Sequence, residues 1–402
     1  MAKSSTQPGV PSLLRVLNDR ATLELLLTDG SITRAELGRR TGLSRVTASQ
    51  SLSRLQARGL VEVVGSRSGG RGPNAEVYAV RDHLWRAIGL DLRASGVGAT
   101  VSSVTGEQLE RTWEPADGRN VVDLASHVVA DLLEKTEVHH DQVLSAVAGG
   151  PGLVDPGGGD IAFAYDLPEA GAGLRTVLQA RLGLPVTLEN DVNLAAVAES
   201  RLGAAAGEPD FVLVWVGAGV GLAVTVDSRL HRGSTGAAGE IGYLPVPGVP
   251  LPERVDHVSQ GSFQRLVGTP ALAVLADQHG LNLPSPRDAV AVAAAVSHAA
   301  NGGHEAFLNE VARRIALGVA AVCTVLDPGL VVLSGETGLA GGTPLAERVG
   351  EQVERMAPVH PHVVVSRVGD GAVLDGASWR AVRASRQTLL AGLDDVAETA
   401  DG

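Results

Sequence analysis

Apolar residues in the first 80 positions recur at helical spacing in short stretches and then give way to strand-like runs. Ile32-Thr33-Arg34-Ala35-Glu36-Leu37 carries two independent helix-start signals. Thr33 and Glu36 stand at capping-box spacing, and Ile32 and Leu37 occupy the two positions of a hydrophobic staple. A helix is predicted from about Arg34 to Arg40. Thr41-Gly42-Leu43 then supplies a tight turn, Ser44 an N-cap, and Ala48, Leu52 and Leu55 the inward face of a second helix. An earlier helix, roughly Asp19 to Leu27, completes a three-helix unit. Gly59 to Val64 reads as a strand and Val77 to Val80 as its return, with Gly65 to Pro73 a flexible loop between them. From Ala87 onward the pattern becomes apolar strands, glycine turns and alternating helices, as in α/β folds. Its strands are Ala87 to Leu92, Gly96 to Ser102, Leu144 to Ala148, Val186 to Glu189 and Phe211 to Val216, and Val121 to Thr136 is a helix. The chain therefore divides at residues 82–86 into a small domain, 1–81, and a large body, 82–402.

Charge sharpens this division. Residues 1–81 hold 12 Lys and Arg against 6 Asp and Glu, a net +6; with the whole chain at −12, the body carries −18. Such asymmetry suits a basic part that meets a polyanion and an acidic part that stays off it. The second helix leaves Arg45, Thr47, Ser49, Gln50 and Arg54 outside, and the glycine loop adds Arg67 and Arg71. Gln and Arg can read base edges in a major groove, while Thr, Ser and the loop arginines can hold phosphates or enter a minor groove. The small domain thus reads as a winged helix-turn-helix. Arg45 and Gln50 are expected to govern base choice, and Arg54, Arg67 and Arg71 to contribute chiefly affinity.

Other classes fall away. Residues 1–12 hold no apolar run of the signal-peptide kind, and stretches such as Gly318 to Leu326 are too short to span a bilayer, so a cytoplasmic protein without membrane contact is expected. Cys323 is the only cysteine, which rules out an internal disulfide and a Cys-rich zinc site.

The order of the body's motifs resembles the ROK family of sugar kinases and sugar-responsive repressors. The resemblance rests on the winged amino-terminal domain, the Gly150-Pro151-Gly152 turn, Glu189-Asn190-Asp191, the loop Gly217 to Gly221 and Gly239-Glu240-Ile241-Gly242. Asp327 to Gly335 and Gly371 to Ala377 extend it towards the end of the chain. It implies an α/β, actin-like ATPase body of two lobes flanking a cleft, below the amino-terminal winged helix-turn-helix. It also implies that Asp191 stands where the family's catalytic base meets a sugar hydroxyl, with Asn190 before it, and that Glu240 grips further hydroxyls. Asp166 stands about where the family has an Asn touching sugar.

Departures from the family pattern bear on chemistry. Family kinases place Asp, Gly and Thr at alternating positions of the first phosphate loop; here the stretch is Asp91-Leu92-Arg93-Ala94-Ser95, with Arg93 at the glycine position. Loss of ATP use is expected, because a bulky side chain there obstructs the backbone's approach to phosphate. The family's His after Gly-Glu-Ile-Gly is Tyr243, and Pro245 to His257 contains no Cys, so neither metal nor cofactor is expected. His231 and His257 read as ordinary loop histidines.

The expected function is a repressor, not an enzyme, that binds operator DNA as an inverted repeat. It would act as a homodimer or dimer of dimers and respond to a sugar or sugar phosphate held by Asp166, Asn190, Asp191, Glu240 and Tyr243. Two other readings stay open on sequence alone: a sugar kinase with an added DNA-binding domain, and a ligand-independent DNA-binding protein.

Overall fold

The computed structural model describes residues 11–68, 74–163, 173–255, 261–285 and 288–400. Arg71, Asp166 and His257 lie outside them. The small domain runs α1 (Pro11–Asp29), β1 (Ile32–Thr33), α2 (Arg34–Thr41), α3 (Arg45–Ala57), β2 (Val61–Arg67) and β3 (Ala75–Val80). The capping box forms: Thr33 Oγ1 accepts from Glu36 N, and Glu36 Oε2 accepts from Thr33 N at 2.8 Å. Both staple residues, Ile32 and Leu37, are buried. Ser44 caps α3 through its hydroxyl, which accepts from Thr47 N at 3.1 Å.

Two boundaries differ from the sequence expectation for identifiable reasons. Helix α1 begins eight residues earlier than Asp19, because Leu13, Leu14 and Leu17 point outward. They leave no inward periodicity to read before Thr22 and Leu23. Strand β2 starts at Val61 because Gly59, at φ +71°, and Leu60 first complete the turn that closes α3. It then continues to Arg67 across a bulge between Val63 and Gly65, into what reads from sequence as loop.

The body repeats one sheet plan twice. In the first lobe β4 (Arg86–Arg93), β5 (Gly96–Ser103) and β6 (Gln108–Pro115) form an antiparallel meander, and β7 (Val143–Gly150) and β10 (Val186–Asn190) add in parallel beyond β4. A short hairpin, β8 (Leu153–Val154) and β9 (Ile161–Phe163), lies between them in sequence. In the second lobe β11 (Phe211–Val216), β12 (Val220–Val226) and β13 (Arg229–His231) form the meander. Strands β14 (Leu330–Ser334) and β15 (His362–Val365) follow in parallel beyond β11. Parallel strands need long crossovers, and helices supply them: α4 (Val121–Lys135) and α5 (Leu174–Leu182) in the first lobe, and α7 to α11 (Ser262–Met356) around the second. This is the two-lobed α/β body expected from the motif order.

Two helices fill the space between the sheets: α6 (Asp191–Leu202) and α12 (Ala372–Ala400). Their shared core is built from Ala195, Ala196, Ala198, Ala377 and Ala381 with Phe211, Leu213 and Val332. Small residues let these backbones approach closely; a Cβ on Gly376 would lie 2.0 Å from Leu194 O, so only glycine fits there. The far end of α12 leaves the body. Leu389, Leu390 and Leu393, with Val104 of the body, join the same buried cluster as Leu23, Leu26, Leu52 and Leu55 of the small domain. Arg58 also donates to Gly392 O at 2.6 Å. One helix thus runs from the body's cleft into the core of the basic domain. Among the described residues no helix is long and apolar enough to cross a membrane.

Candidate functional site

Strand register assembles the cleft. Strand β7 continues past Ala148 to Gly150, which sets Gly149 opposite both Asp91 on β4 and Glu189 on β10. Gly149 is a contact glycine and not a turn, since a Cβ there would lie 2.5 Å from Leu194 Cδ1. Asn190 caps α6, accepting from Asn193 N at 3.0 Å, and its amide donates to Gly152 O at 3.1 Å. Both ends of the Asn190 carboxamide are therefore engaged. It braces the Gly150-Pro151-Gly152 turn and aims the next residue, which is a positioning task in place of the sugar contact expected from sequence. That next residue is Asp191. It accepts from its neighbour Val192 N at 2.8 Å, and its carboxyl is enclosed deeply enough that burial raises its pKa to about 7. The negative charges of Asp91 and Glu240 push in the same direction and Arg93 opposes them, so these four side chains share one electrostatic environment.

Glu240 enters from the second lobe. Gly239, at φ +104°, lies flat on β12, where a Cβ would be 2.0 Å from Leu222 O, while Gly239 O accepts from Leu222 N at 2.9 Å. This fixes the backbone of Glu240, whose carboxyl is pushed above its ordinary pKa by burial. Tyr243 behaves differently from the sugar contact expected. Its hydroxyl donates to Val255 O at 2.6 Å and ties down the proline-rich loop that begins at Leu244. A hydrogen bond thus supports this loop where the family pattern has zinc.

Arg93 is pinned. Its Nε and Nη2 reach Asp91 Oδ2 at 2.9 and 2.8 Å, its Nη1 reaches Asp370 Oδ1 at 3.2 Å, and its guanidinium lies over the Trp113 ring. Strand β4's end is thereby closed by a side chain instead of opened by a glycine. A cavity of about 400 Å³ opens beside it, walled by Arg93, Arg111, Trp113 and Asp370 among others, but neither Asp191 nor Glu240 borders it.

A second obstruction was not expected from sequence. The β11–β14 register sets Trp215 beside Ser334, which brings Glu336 over the glycine loop after β11. A Cβ on Gly217 would lie 1.6 Å from Glu336 Oε2. The only sequence signal was an acidic residue directly after the Ser334-Gly335 turn.

At the base of the cleft Glu189, 4% exposed, gathers both lobes. It accepts from Arg232 Nη2 at 2.5 Å, from Asn193 Nδ2 at 3.0 Å, and from Arg380 of α12.

On the basic domain, Arg45 and Gln50 are exposed on α3, and Thr47 and Ser49 are half-buried beside them. Val46, 66% exposed, shares that surface and was missed in sequence because an apolar residue reads as core. Arg67 is exposed and pairs with Glu36 at 2.8 Å. Arg54 is not available as expected: its Nε and Nη2 grip Asp19 at 2.8 and 2.6 Å and bolt α3 to α1. Asp19→Ala is accordingly expected to destabilise this domain by about 1–3 kcal/mol, since it orphans a half-buried guanidinium. A melting temperature unchanged in Asp19→Ala, with Arg54→Ala lowering only the salt dependence of DNA binding, would restore Arg54 as a phosphate contact.

Comparison with known proteins agrees with this geometry. Residues 87–384 match the model of the ROK family, and residues 17–72 match that of the MarR family. A xylose repressor of Caldicellulosiruptor bescii is 26% identical over 244 residues, which cover 59% of this chain and 61% of that repressor's length. Among solved structures, a ROK family transcriptional regulator, homologue of the Escherichia coli MLC protein, superposes with a TM-score of 0.72 at 19% identity, covering 96% of this chain and 99% of its own. A ROK family glucokinase from Streptomyces griseus, solved with glucose and AMPPNP, gives 0.61 at 26% identity over 74% of this chain and 99% of its own. With the matched model spanning both lobes and the cleft between them, the chain belongs to the ROK family.

Proposed function

We propose that this protein is a transcriptional repressor that binds operator DNA through residues 1–81 and alters its grip when a carbohydrate occupies the Asp191–Glu240 cleft, without phosphoryl transfer. The observation that carries this reading is α12, packed against α6 behind Asp191 and ending in the hydrophobic core of the basic domain. A ligand acts on DNA only through different affinities for two arrangements, and a continuous helix is a physical link through which cleft closure can bias the reader. The repressor and regulator among its relatives support the same reading, as does Arg93 at the phosphate-loop glycine. The protein works in the cytoplasm, as a homodimer or dimer of dimers on an inverted repeat, because a single helix-turn-helix covers little DNA and a protein two-fold is mirrored in its site.

Operator binding measured by fluorescence anisotropy, with and without sugars, tests this. Affinity that no sugar changes would remove the ligand-response half, and turnover of labelled ATP with a hexose would make the protein a kinase. On α3, Gln50→Ala is expected to cost about 1–3 kcal/mol at one operator position, whereas Val46→Ala should relax preference for a thymine, whose methyl an exposed valine can cover. Equal losses at every operator position for both variants would place α3 away from the base edges.

A further inference from the structure

The phosphate end of the cleft is built from acceptors. Asp91 is 2% exposed; one carboxylate oxygen takes both contacts from Arg93, while Oδ1 is buried with no donor among the described residues. Glu336 Oε2, lying over Gly217, is buried and equally without a donor there. Ionised carboxylates accept hydrogen bonds and offer none, and a buried acceptor left unpaired is costly, so this end of the cleft calls for O–H or N–H groups. The glycine loop supplies no compensation. Gly217 N–H already donates to Gly219 O at 3.0 Å and Val220 N–H to Gln264 Oε1 at 3.0 Å, so these amides are not turned outward to cradle phosphate. The one guanidinium at hand, Arg93, is divided between Asp91 and Asp370.

We infer that the cleft is selective for a free, unphosphorylated sugar, whose hydroxyl donors complete Asp91 and Glu336, and that it rejects phosphate esters of the same sugar as well as nucleotides. This rests on the sugar-responsive reading above and names its ligand class. A sugar phosphate brings a dianion and further acceptors to a wall of Asp91, Asp191, Glu240 and Glu336. Like charges brought together in this way set specificity by exclusion.

The test is calorimetry and operator release on the full chain, with common pentoses, hexoses and N-acetylhexosamines, each paired with its terminal phosphate ester, and with ATP. One free sugar is expected to bind and to change operator affinity, its ester at least ~100-fold more weakly. Glu336→Gln is expected to narrow that gap by about tenfold, because it removes a charge and supplies a donor. The parent's discrimination decides the matter alone if the variant does not fold. An ester that binds as tightly as its free sugar overturns this inference and leaves a sugar-responsive regulator standing. Silence towards the whole panel, with operator binding intact, overturns both.

Discussion

Glu189→Ala is expected to destabilise the protein by on the order of 3 kcal/mol, more than any other single change at the cleft. The carboxylate is almost fully enclosed and serves Arg232 on the second lobe, Arg380 on α12 and Asn193 on α6. Removing it leaves two guanidinium groups facing each other, and burial already pulls Arg380 below its ordinary pKa, with Arg232 adding to that pull. An isolated buried ion pair breaks at a cost of about 3–5 kcal/mol; the lower end applies because the two arginine side chains keep 27% and 34% of their surface exposed. Arg380→Met in the Glu189→Ala background should recover part of the loss, since it removes one of the stranded charges and keeps its packing. Urea denaturation of the four proteins of this cycle measures both terms. A Glu189→Ala protein within 0.5 kcal/mol of the parent would mean, on the scale of surface changes, that water reaches this cluster freely.

Glu189 also shows where sequence reading stops. Signals confined to neighbouring residues were legible. The Thr33–Glu36 box, the Ser44 cap and the strand Phe211–Val216 follow from side-chain type and short-range spacing, and they form where expected. The cleft carboxylates Asp191 and Glu240 were legible through their motifs. Partnerships across the fold were not. Arg380 lies 191 positions from Glu189, and nothing near either residue announces the other. Arg54 has the composition of a phosphate contact, and only the packing of α1 on α3 reveals that Asp19 takes its charge. Asn190 looked like a sugar ligand because an amide at a cleft is chemically suited to both tasks; its two hydrogen bonds decide for bracing. Strand β6, Gln-Leu-Glu-Arg-Thr-Trp-Glu-Pro, escaped because an edge strand of a half-solvated sheet is mostly polar.

The cleft's acidity gives Asp191→Asn two opposed effects. In the native state the Asp191 carboxyl titrates at about 7, against 3.8 when unperturbed, because burial dominates its surroundings. The folded protein therefore holds that proton more tightly than the unfolded chain. The stability it contributes is complete below about pH 4 and is lost as pH rises through 7. Asparagine does not titrate. The variant should match the parent near pH 4 and exceed it by on the order of 2–3 kcal/mol at pH 8, a gain read directly from urea midpoints at the two pH values. Ligand response should move the other way. An ionised carboxylate accepts two hydroxyl hydrogen bonds, and the amide accepts at one atom only, so sugar affinity should fall about 5- to 150-fold, or 1–3 kcal/mol. In the parent, sugar affinity should itself weaken below pH 7 as Asp191 takes up its proton, and the variant should show no such slope. Operator binding without sugar should be unchanged in both, since Asp191 contributes nothing to the basic surface of α3. A stabilised Asp191→Asn protein that still responds fully to sugar would place the effector elsewhere than between Asp191 and Glu240.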